Sequence, residues 1–307
     1  MNIYSSVDAF HSGKHTVVTI GTFDGVHAGH RKIIQRLKEL ARERGGQTLV
    51  LTFFPHPRLV LQPDDNDLKM ITTMDERSSL LEAYGVDNLV IQEFNQAFSR
   101  ISAEEFVRDI LISRIGMKTL VIGHDHHFGR NREGSYKTLE DLAPVYGFEL
   151  EEIPEQVVNE VAVSSTKIRK ALLAGNVGEA GVLMGHDFTL SGEVVEGDRL
   201  GQTLGFPTAN LSIPDPYKLI PADGIYAVHA DCGGLYKGML YIGTRPALKG
   251  TQRRVEVNLF DFSGNLYGRK MTVNLKARIR GDLFFDNLAQ LKQKMEEDRL
   301  HATKLLS

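Results

Sequence analysis

The sequence has very little cysteine and no tryptophan, since Cys232 is the only thiol in 307 residues. One cysteine cannot form an intramolecular disulfide or supply the paired thiolates of a zinc site. We therefore predict a protein of the reducing cytoplasm. No stretch of about 18 consecutive apolar residues occurs, and Met1 to His15 contains no apolar core of a signal peptide. These absences predict neither secretion nor a membrane-spanning segment.

The chain also lacks a large excess of positive or negative charge. The formal net charge is −3, and no run of five or six Lys or Arg residues occurs. A nonspecific nucleic-acid surface is therefore not expected, although local basic pockets for phosphates are compatible with this balance. Hydrophobic residues at 42% and charged residues at 24% are typical of soluble globular proteins. The length favours about two domains and gives no prediction of oligomeric state.

The first half of the sequence alternates short β-rich runs with segments of helical periodicity. Apolar residues recur at helical spacing from Ile33 to Ala41, before the helix-stopping pair Gly45 and Gly46. This alternation predicts a mostly parallel, doubly wound sheet that binds ligands beyond the carboxyl ends of its strands. The predicted strands are residues 16–22, 48–54, 86–91, 118–122 and 148–153, and further helices are predicted at residues 73–84 and 102–112.

After Gly185 the periodicity changes to two, and no helix is predicted before the last stretch of the chain. Several short strands separated by Gly, Pro and Asp turns indicate a small barrel or a sandwich. The domain boundary is expected near residues 181–188, without a long linker. The predicted strands are residues 193–196, 225–230, 239–242, 255–262 and 271–279, and a terminal helix is predicted at residues 283–300.

The strongest local pattern, GTFDGVHAGH, runs from Gly21 to His30 between an apolar strand and an amphipathic helix. A phosphate chain at this point would meet free backbone N–H groups and the positive end of the helix dipole. Glycines at 21, 25 and 29 allow the backbone to approach a ligand closely. His27 and His30 lie three residues apart and share one face of the first helical turn. The pattern therefore favours a phosphate site with two imidazole donors.

Other interpretations of this segment are open at this point. The glycines alone could form a tight turn with surface histidines, which is the commoner situation for two arbitrary histidines on a helix. A metal pair is less favoured, because zinc normally takes three or four protein ligands. The chain contains neither the P-loop pattern G-x-x-x-x-G-K-[ST] nor G-x-G-x-x-G. A nucleotide site in this chain therefore has to use a different chemistry from that of these two motifs.

A second pattern, GQTLGFPTANL, spans Gly201 to Leu211. Its Gly and Pro residues are typical of a loop between two strands. In turns, the side chains of Thr and Asn form hydrogen bonds with nearby backbone groups. Farther along, strand parity places Val255 and Val257 on one face and Glu256 on the other. Taken alone, Glu256 is most simply a solvent-exposed carboxylate on a strand.

Together these segments resemble the bacterial bifunctional riboflavin kinase/FAD synthetases. The first matches the H-x-G-H signature of nucleotidyltransferases, and the second resembles the G-x-P-T-A-N fingerprint of riboflavin kinases. The resemblance covers nearly the whole chain and departs from the family pattern at His126, Gln202 and Ala247, where Phe, Arg and Thr are usual. Further matching segments are residues 123–129 (GHDHHFG), 164–169 (SSTKIR), 223–228, 242–246, 255–257 and 266–268.

The resemblance implies a Rossmann-like nucleotidyltransferase domain at residues 1–183 that adenylylates FMN. A small antiparallel β-barrel with a terminal helix, at residues 184–307, is implied to phosphorylate riboflavin. His27 and His30 are the implied catalytic residues of the first domain, and Glu256 is the implied base of the second. ATP contacts are implied for Gly21, Phe23, Asp24, Gly25, Gly29, Asp125, Ser165, Thr166, Arg169, Gly205, Pro207, Thr208 and Asn210.

The same resemblance implies Mg²⁺ as the cofactor, held by Thr208 and Asn210, with ATP as co-substrate. Riboflavin, FMN, FAD and pyrophosphate are the other expected ligands, and no nucleic-acid or membrane partner is expected. Two alternatives are a monofunctional enzyme in which one site has decayed and a non-catalytic flavin-binding protein. The first requires a lost motif residue, and none is evident. The second does not require Glu256, so its presence favours catalysis.

Overall fold

The computed structural model describes residues 1–63, 68–123, 127–153, 163–197, 200–244, 253–285 and 287–307. By their internal contacts these residues form two compact units. The first unit contains Met1–Leu68 and Arg77–Ser164, and the second contains Lys69–Glu76 and Ser165–Ser307. Each unit has an apolar core of its own.

The first unit is built on a six-stranded sheet in the order β1-β4-β3-β2-β5-β6, and every pairing in it is parallel. The parallel sheet predicted from strand–helix alternation is confirmed, and all five predicted strands are present. The additional strand β1 was not predicted, because three residues are too few to show a periodicity. The strands are β1 Asn2–Tyr4, β2 Thr16–Ile20, β3 Gln47–Phe54, β4 Asn88–Glu93, β5 Met117–Gly123 and β6 Glu149–Ile153.

Helices cover the sheet because their apolar residues share one face. In α1, residues Ile34, Leu37 and Leu40 are buried in one core cluster with Val17 and Val50 of the sheet. The helix predicted at residues 102–112 is mostly a π-helix, Phe106–Arg114, which follows a short α-helical turn. The helices are α1 Ala28–Glu43, α2 Pro57–Leu61, α3 Met74–Ala83, α4 Ala103–Glu105 and α5 Tyr136–Tyr146, with 3₁₀ turns at Val7–Ala9, Phe98–Arg100 and Arg130–Arg132.

The second unit contains a closed barrel in the order β10-β11-β8-β7-β12-β9, with antiparallel pairings throughout. The barrel, rather than a sandwich, is the architecture that the motif resemblance implied. The strands are β7 Phe188–Val195, β8 Ala209–Ser212, β9 Gly224–Asp231, β10 Leu235–Gly243, β11 Arg254–Leu259 and β12 Lys270–Arg280. The helices of this unit are α6 Ser165–Leu173, α7 Val177–Met184, α8 Leu200–Thr203 and α9 Leu288–Leu305.

Three expectations for the second unit need correction. Strand β8 begins within the segment that was interpreted as a loop, and the single turn α8 interrupts the region in which no helix was predicted. The terminal helix begins at Leu288 rather than at residue 283. Its start is fixed by Asn287, whose side chain accepts a hydrogen bond from the Gln290 backbone N–H at 3.0 Å. Capping residues decide helix ends more closely than apolar periodicity does.

A short segment from the first half of the chain, Lys69–Glu76, is part of the second unit. Met70 forms a parallel bridge with Lys218, and its N–H donates to the Tyr217 carbonyl at 2.7 Å. The Glu76 carboxylate accepts hydrogen bonds from the backbone N–H groups of Thr73 and Ser191, both at 3.0 Å. It also forms an ion pair with the Lys218 ammonium group. We call Glu76 and Lys218 the buried clasp.

Both members of the buried clasp are removed from solvent, with relative exposures of 7% for Glu76 and 3% for Lys218. The ammonium group of Lys218 also donates to the Ile71 carbonyl at 2.7 Å and lies 4.5 Å from the centre of the Phe188 ring. A buried charge is tolerated when it is paired and its hydrogen-bonding capacity is used. The clasp therefore stabilises the second unit only while both charges are present.

Lys218→Met is expected to destabilise the second unit by about 3–5 kcal/mol, because it leaves the buried Glu76 carboxylate without its counter-ion. The free energy of opening can be measured by hydrogen exchange of amides in β7 and β12. Lys294→Met is the matched control, since Lys294 forms a half-exposed i,i+3 pair with Glu297. That pair should contribute about 0.5 kcal/mol or less. Equal losses in the two variants would contradict the role of the clasp.

Candidate functional site

The turn that follows β2 has an unusual backbone conformation. The φ angles of Phe23, Gly25 and Val26 are +48°, +81° and +35°. Glycine adopts such angles without steric cost, but a β-branched residue such as Val26 does not. Phe23 and Val26 are buried in the apolar core of the first unit. Strain of this kind persists only where surrounding contacts fix the conformation, and it is frequent at ligand-binding turns.

The two histidines of this turn lie against each other. His27 is the N-cap of α1, and its Nδ1 accepts a hydrogen bond from the His30 backbone N–H at 3.4 Å. The two imidazole rings stack with centroids 3.7 Å apart and planes inclined by 15°. Because Nδ1 of His27 accepts, the proton of a neutral His27 ring resides on Nε2. The helix N-terminus thus presents two adjacent rings together with its free N–H groups.

His30 is held in its neutral form. Burial lowers the pKa of His30 well below its usual value, and the nearby His27 and Arg77 lower that pKa further. Its buried Nδ1 atom has no hydrogen-bond partner among the residues that the structure describes. Buried polar atoms normally have a partner, so an orphaned ring nitrogen indicates a place where a ligand group binds.

A buried ion pair lies beneath the same turn. Asp24 is 1% exposed and Arg77 is 3% exposed, and Oδ1 of Asp24 lies 3.4 Å from Nη2 of Arg77. The sequence motif includes Asp24, but nothing in it indicates Arg77. A charged residue within an amphipathic helical pattern is ordinarily assigned to the solvent-facing side, and only the fold reveals that Arg77 points inward.

Four of the other residues predicted for ATP are either in the second unit or outside the described part of the chain. Asp125 lies outside the described residues. Ser165, Thr166 and Arg169 belong to α6 at the start of the main part of the second unit. Arg169 donates through Nε to the Lys69 carbonyl at 2.7 Å, which connects α6 to the inserted segment Lys69–Glu76.

Glu256 of β11 occupies the centre of the second candidate site. Its Cα pairs with Asn210 of β8 on one side and with Tyr241 of β10 on the other. The side chain is 3% exposed, and its Oε2 accepts a hydrogen bond from the Thr208 hydroxyl at 3.2 Å. Interpretation of Glu256 as a solvated strand residue is therefore wrong, because the strand is buried on both of its faces.

The loop before β8 is held against this strand. The Asn258 side chain donates through Nδ2 to the Pro207 carbonyl at 2.8 Å. A Cβ built on Gly197 would overlap the Asn210 amide, so the absence of a side chain there allows Asn210 its position. Strand parity puts Asn258 on the same face as Glu256, but no motif assigns it a role. A polar residue in the interior of a strand, two positions from a functional carboxylate, was the available signal.

The donor atoms around Glu256 suit a hard divalent cation. A hydroxyl, an amide and a carboxylate are supplied by Thr208, Asn210 and Glu256, and Thr208 already contacts the carboxylate. Mg²⁺ prefers oxygen ligands of these kinds and usually completes its shell with water and substrate phosphates. The residues present therefore fit the ion that the motif resemblance implies.

In the described part of the chain, no helix combines the length and hydropathy needed to cross a membrane.

Comparison with known proteins identifies relatives of both units. The FAD synthetase family matches residues 10–167, and the riboflavin kinase family matches residues 184–306. The bifunctional riboflavin kinase/FMN adenylyltransferase of Escherichia coli is 38% identical over 290 residues, which cover 93% of this chain and 91% of the relative. That of Bacillus subtilis is 35% identical over 298 residues, which cover 95% and 93%.

A similar architecture has been solved before. The crystal structure of a macrolide-efflux protein from Streptococcus pneumoniae matches this chain with a TM-score of 0.85 and 33% sequence identity. The match covers 98% of each chain. The folds of both units are therefore shared with that protein.

Proposed function

The chain belongs to the family of bifunctional riboflavin kinases/FMN adenylyltransferases, and on that premise we propose which residues carry each of the two reactions. The enzyme phosphorylates riboflavin with ATP to give FMN, and it then transfers AMP from a second ATP to FMN. The second reaction yields FAD and releases pyrophosphate. The observation that best supports the residue assignment is the buried Glu256 carboxylate beside Thr208.

Phosphorylation of riboflavin requires removal of a proton from a primary alcohol. We assign that proton to the Glu256 carboxylate, and the resulting ribityl oxygen bonds to the γ-phosphorus of ATP. The bond from the γ-phosphorus to the bridging oxygen breaks, and ADP departs. Thr208 and Asn210 would hold Mg²⁺, and Gly205 and Pro207 would contact ATP in the same loop. Bound Mg²⁺ supplies neutralisation of the phosphate charge.

Adenylylation of FMN requires no general base. The FMN phosphate has a second pKa of about 6, so it is an anionic nucleophile at neutral pH. Its oxygen bonds to the α-phosphorus of ATP while the bond to the pyrophosphate oxygen breaks. What the protein must supply is stabilisation of charge on the α-phosphate and on the departing pyrophosphate. Donors positioned at the start of α1 are suited to this role.

The donors that we assign to adenylyl transfer are His27 and His30, supported by the orphaned Nδ1 of His30. Backbone N–H groups at the helix N-terminus would add to them. The remaining assignments to ATP rest on the family resemblance alone, and they comprise Gly21, Phe23, Asp24, Gly25, Gly29, Asp125, Ser165, Thr166 and Arg169.

We assign adenylylation to residues 1–183 and phosphorylation to residues 184–307, a division supported by the spans of the two family matches. The segment Lys69–Glu76 then belongs to the first half in sequence and packs with the second unit. A cytoplasmic location is supported by the single cysteine, and the net charge of −3 supports the absence of a nucleic-acid partner. No membrane partner is proposed.

The proposal is tested by incubating the pure chain with riboflavin, ATP and Mg²⁺ and separating the flavins over time. FMN should form first and then decline as FAD appears, with pyrophosphate released in equal amount to FAD. Excess EDTA should stop both products, because each reaction handles ATP phosphates. Accumulation of FMN alone would identify a monofunctional kinase. Flavin binding without either product would identify a binding protein.

A further inference from the structure

The Asp24–Arg77 pair joins the turn before His27 and His30 to α3. Both side chains are almost completely buried, and the turn that contains Asp24 has two non-glycine residues, Phe23 and Val26, in the left-handed region. Such a conformation is retained only where tertiary contacts over-determine it. A buried carboxylate with a fixed charged partner is a contact of this kind.

We infer that Arg77 is a positioning residue for adenylyl transfer, and that it acts by holding Asp24 and thereby the phosphate-facing turn. The inference rests on the proposed role of His30 in that reaction. Arg77 touches the turn from α3, which the sequence motif does not include. A guanidinium group donates from several directions in a fixed plane, whereas an ammonium group on a flexible stem does not. We therefore expect both the charge and the planar shape of Arg77 to contribute to the position of the turn.

The charge of Arg77 has a second effect, on His30. The groups that act on this imidazole are His27 on its own turn and Arg77 on α3, and both disfavour a protonated ring. Together with burial they keep the pKa of His30 well below its usual value. His30 is thus a neutral ring before ATP binds. Loss of the Arg77 charge should allow that pKa to rise toward its ordinary value.

The test uses Arg77→Met and Arg77→Lys in the full chain, with Arg36→Met as the matched control. Arg36 lies on α1 and forms a partly exposed pair with Glu151, at 2.8 Å. The measurements are the rate of adenylylation of added FMN, the rate of riboflavin phosphorylation, and the pKa of His30 by NMR in the ligand-free protein. The His30 signal can be assigned by its loss in His30→Gln.

We expect Arg77→Met to lower kcat for adenylylation at least tenfold, to raise the pKa of His30, and to leave phosphorylation within twofold of wild type. Arg77→Lys should restore the low pKa because it keeps the charge, yet recover only part of the rate because it lacks the planar fork. Arg36→Met should change none of the three quantities. Adenylylation within twofold of wild type in Arg77→Met, with an unchanged pKa, would overturn the inference.

A double variant guards against simple misfolding. Arg77→Met with Asp24→Asn removes both charges, and replacement of a whole buried pair is usually tolerated better than loss of one member. This folded variant should still adenylylate FMN at least tenfold more slowly, and recovery of the wild-type rate would overturn the positioning role. If wild type itself makes no FAD while Arg77→Met still raises the pKa of His30, the proposed adenylylation fails and the contact to the turn stands.

Discussion

Glu256→Gln is expected to lower riboflavin phosphorylation by about 10²–10⁴-fold, the usual contribution of a positioned general base. The ribityl hydroxyl is a weak nucleophile at neutral pH, and Gln keeps the size of Glu256 but cannot accept the proton. Its amide oxygen can still accept the hydrogen bond that the Thr208 hydroxyl donates to Glu256 at 3.2 Å. The local fold should therefore survive. The rate is measured as FMN formed from riboflavin, ATP and Mg²⁺.

Adenylylation of added FMN should stay at the wild-type rate in the same preparation, because the ionised FMN phosphate needs no base. Glu193→Gln is the matched control, since Glu193 is an exposed carboxylate on strand β7 of the same barrel. It should leave phosphorylation unchanged. A loss of less than about tenfold in Glu256→Gln would place the base elsewhere, and a joint loss of both activities would indicate damage beyond the site.

Periodicity predicted the parallel sheet of the first unit and an all-β core for the second. It left a barrel and a sandwich open for the second unit, and the barrel was implied by the motif resemblance. The strands that were missed are short: β1 has three residues and β8 has four. The helices α2, α5, α6 and α7, which have five, eleven, nine and eight residues, were not predicted either. Strand β8 was not predicted because the pattern GFPTAN is typical of a turn. The last residues of this pattern nevertheless form strand pairings with β7 and β11. A strand of three or four residues contains at most two repeats of its period of two, which are too few to identify it.

Long-range charge pairing could not be predicted. Glu76 and Lys218 are separated by 142 residues, and Asp24 and Arg77 by 53. Glu76 and Arg77 lie in a predicted helix, where charged residues are ordinarily assigned to the solvent-facing side. These charged side chains become buried only when the chain folds into its two units. Local sequence propensities contain no information about such long-range contacts. The packing of Lys69–Glu76 in the second unit also depends on long-range contacts, so it could not be predicted from local patterns.

Some residues of the candidate sites could be predicted from local sequence patterns, and others could not. Glycine and histidine spacing located the turn at Gly21 to His30 because phosphate sites at helix N-termini have a local sequence signature. The burial of Glu256 had no such signature, since alternation gives the parity of a strand and not which of its faces is covered. Asn258 and Arg77 support the two sites from outside the motifs. Supporting residues are found through contacts, which a single sequence does not contain.

His30→Ala is expected to lower adenylylation of FMN by about 10²–10³-fold, the typical cost of removing one positioned donor to a developing charge. The buried Nδ1 of His30 has no protein partner among the described residues, so its hydrogen-bonding capacity is available to a phosphate group. Riboflavin phosphorylation is assigned to the barrel in our proposal, so it should remain near the wild-type rate. Both rates are measured on one preparation, as FAD formed from added FMN and as FMN formed from riboflavin.

His15→Ala provides the matched control for this prediction. His15 immediately precedes β2, at the opposite end of the strand from the turn, and its ring forms a 2.9 Å hydrogen bond with the Thr119 hydroxyl. That substitution removes an imidazole of the same unit without touching the start of α1, so both rates should persist. If FAD formation in His30→Ala survives within about tenfold, an electrostatic donor role is ruled out, because so small a loss is below the cost of such a donor. His30 would then act only by packing against His27 and Phe23, whose ring centres lie 3.7 and 4.8 Å away.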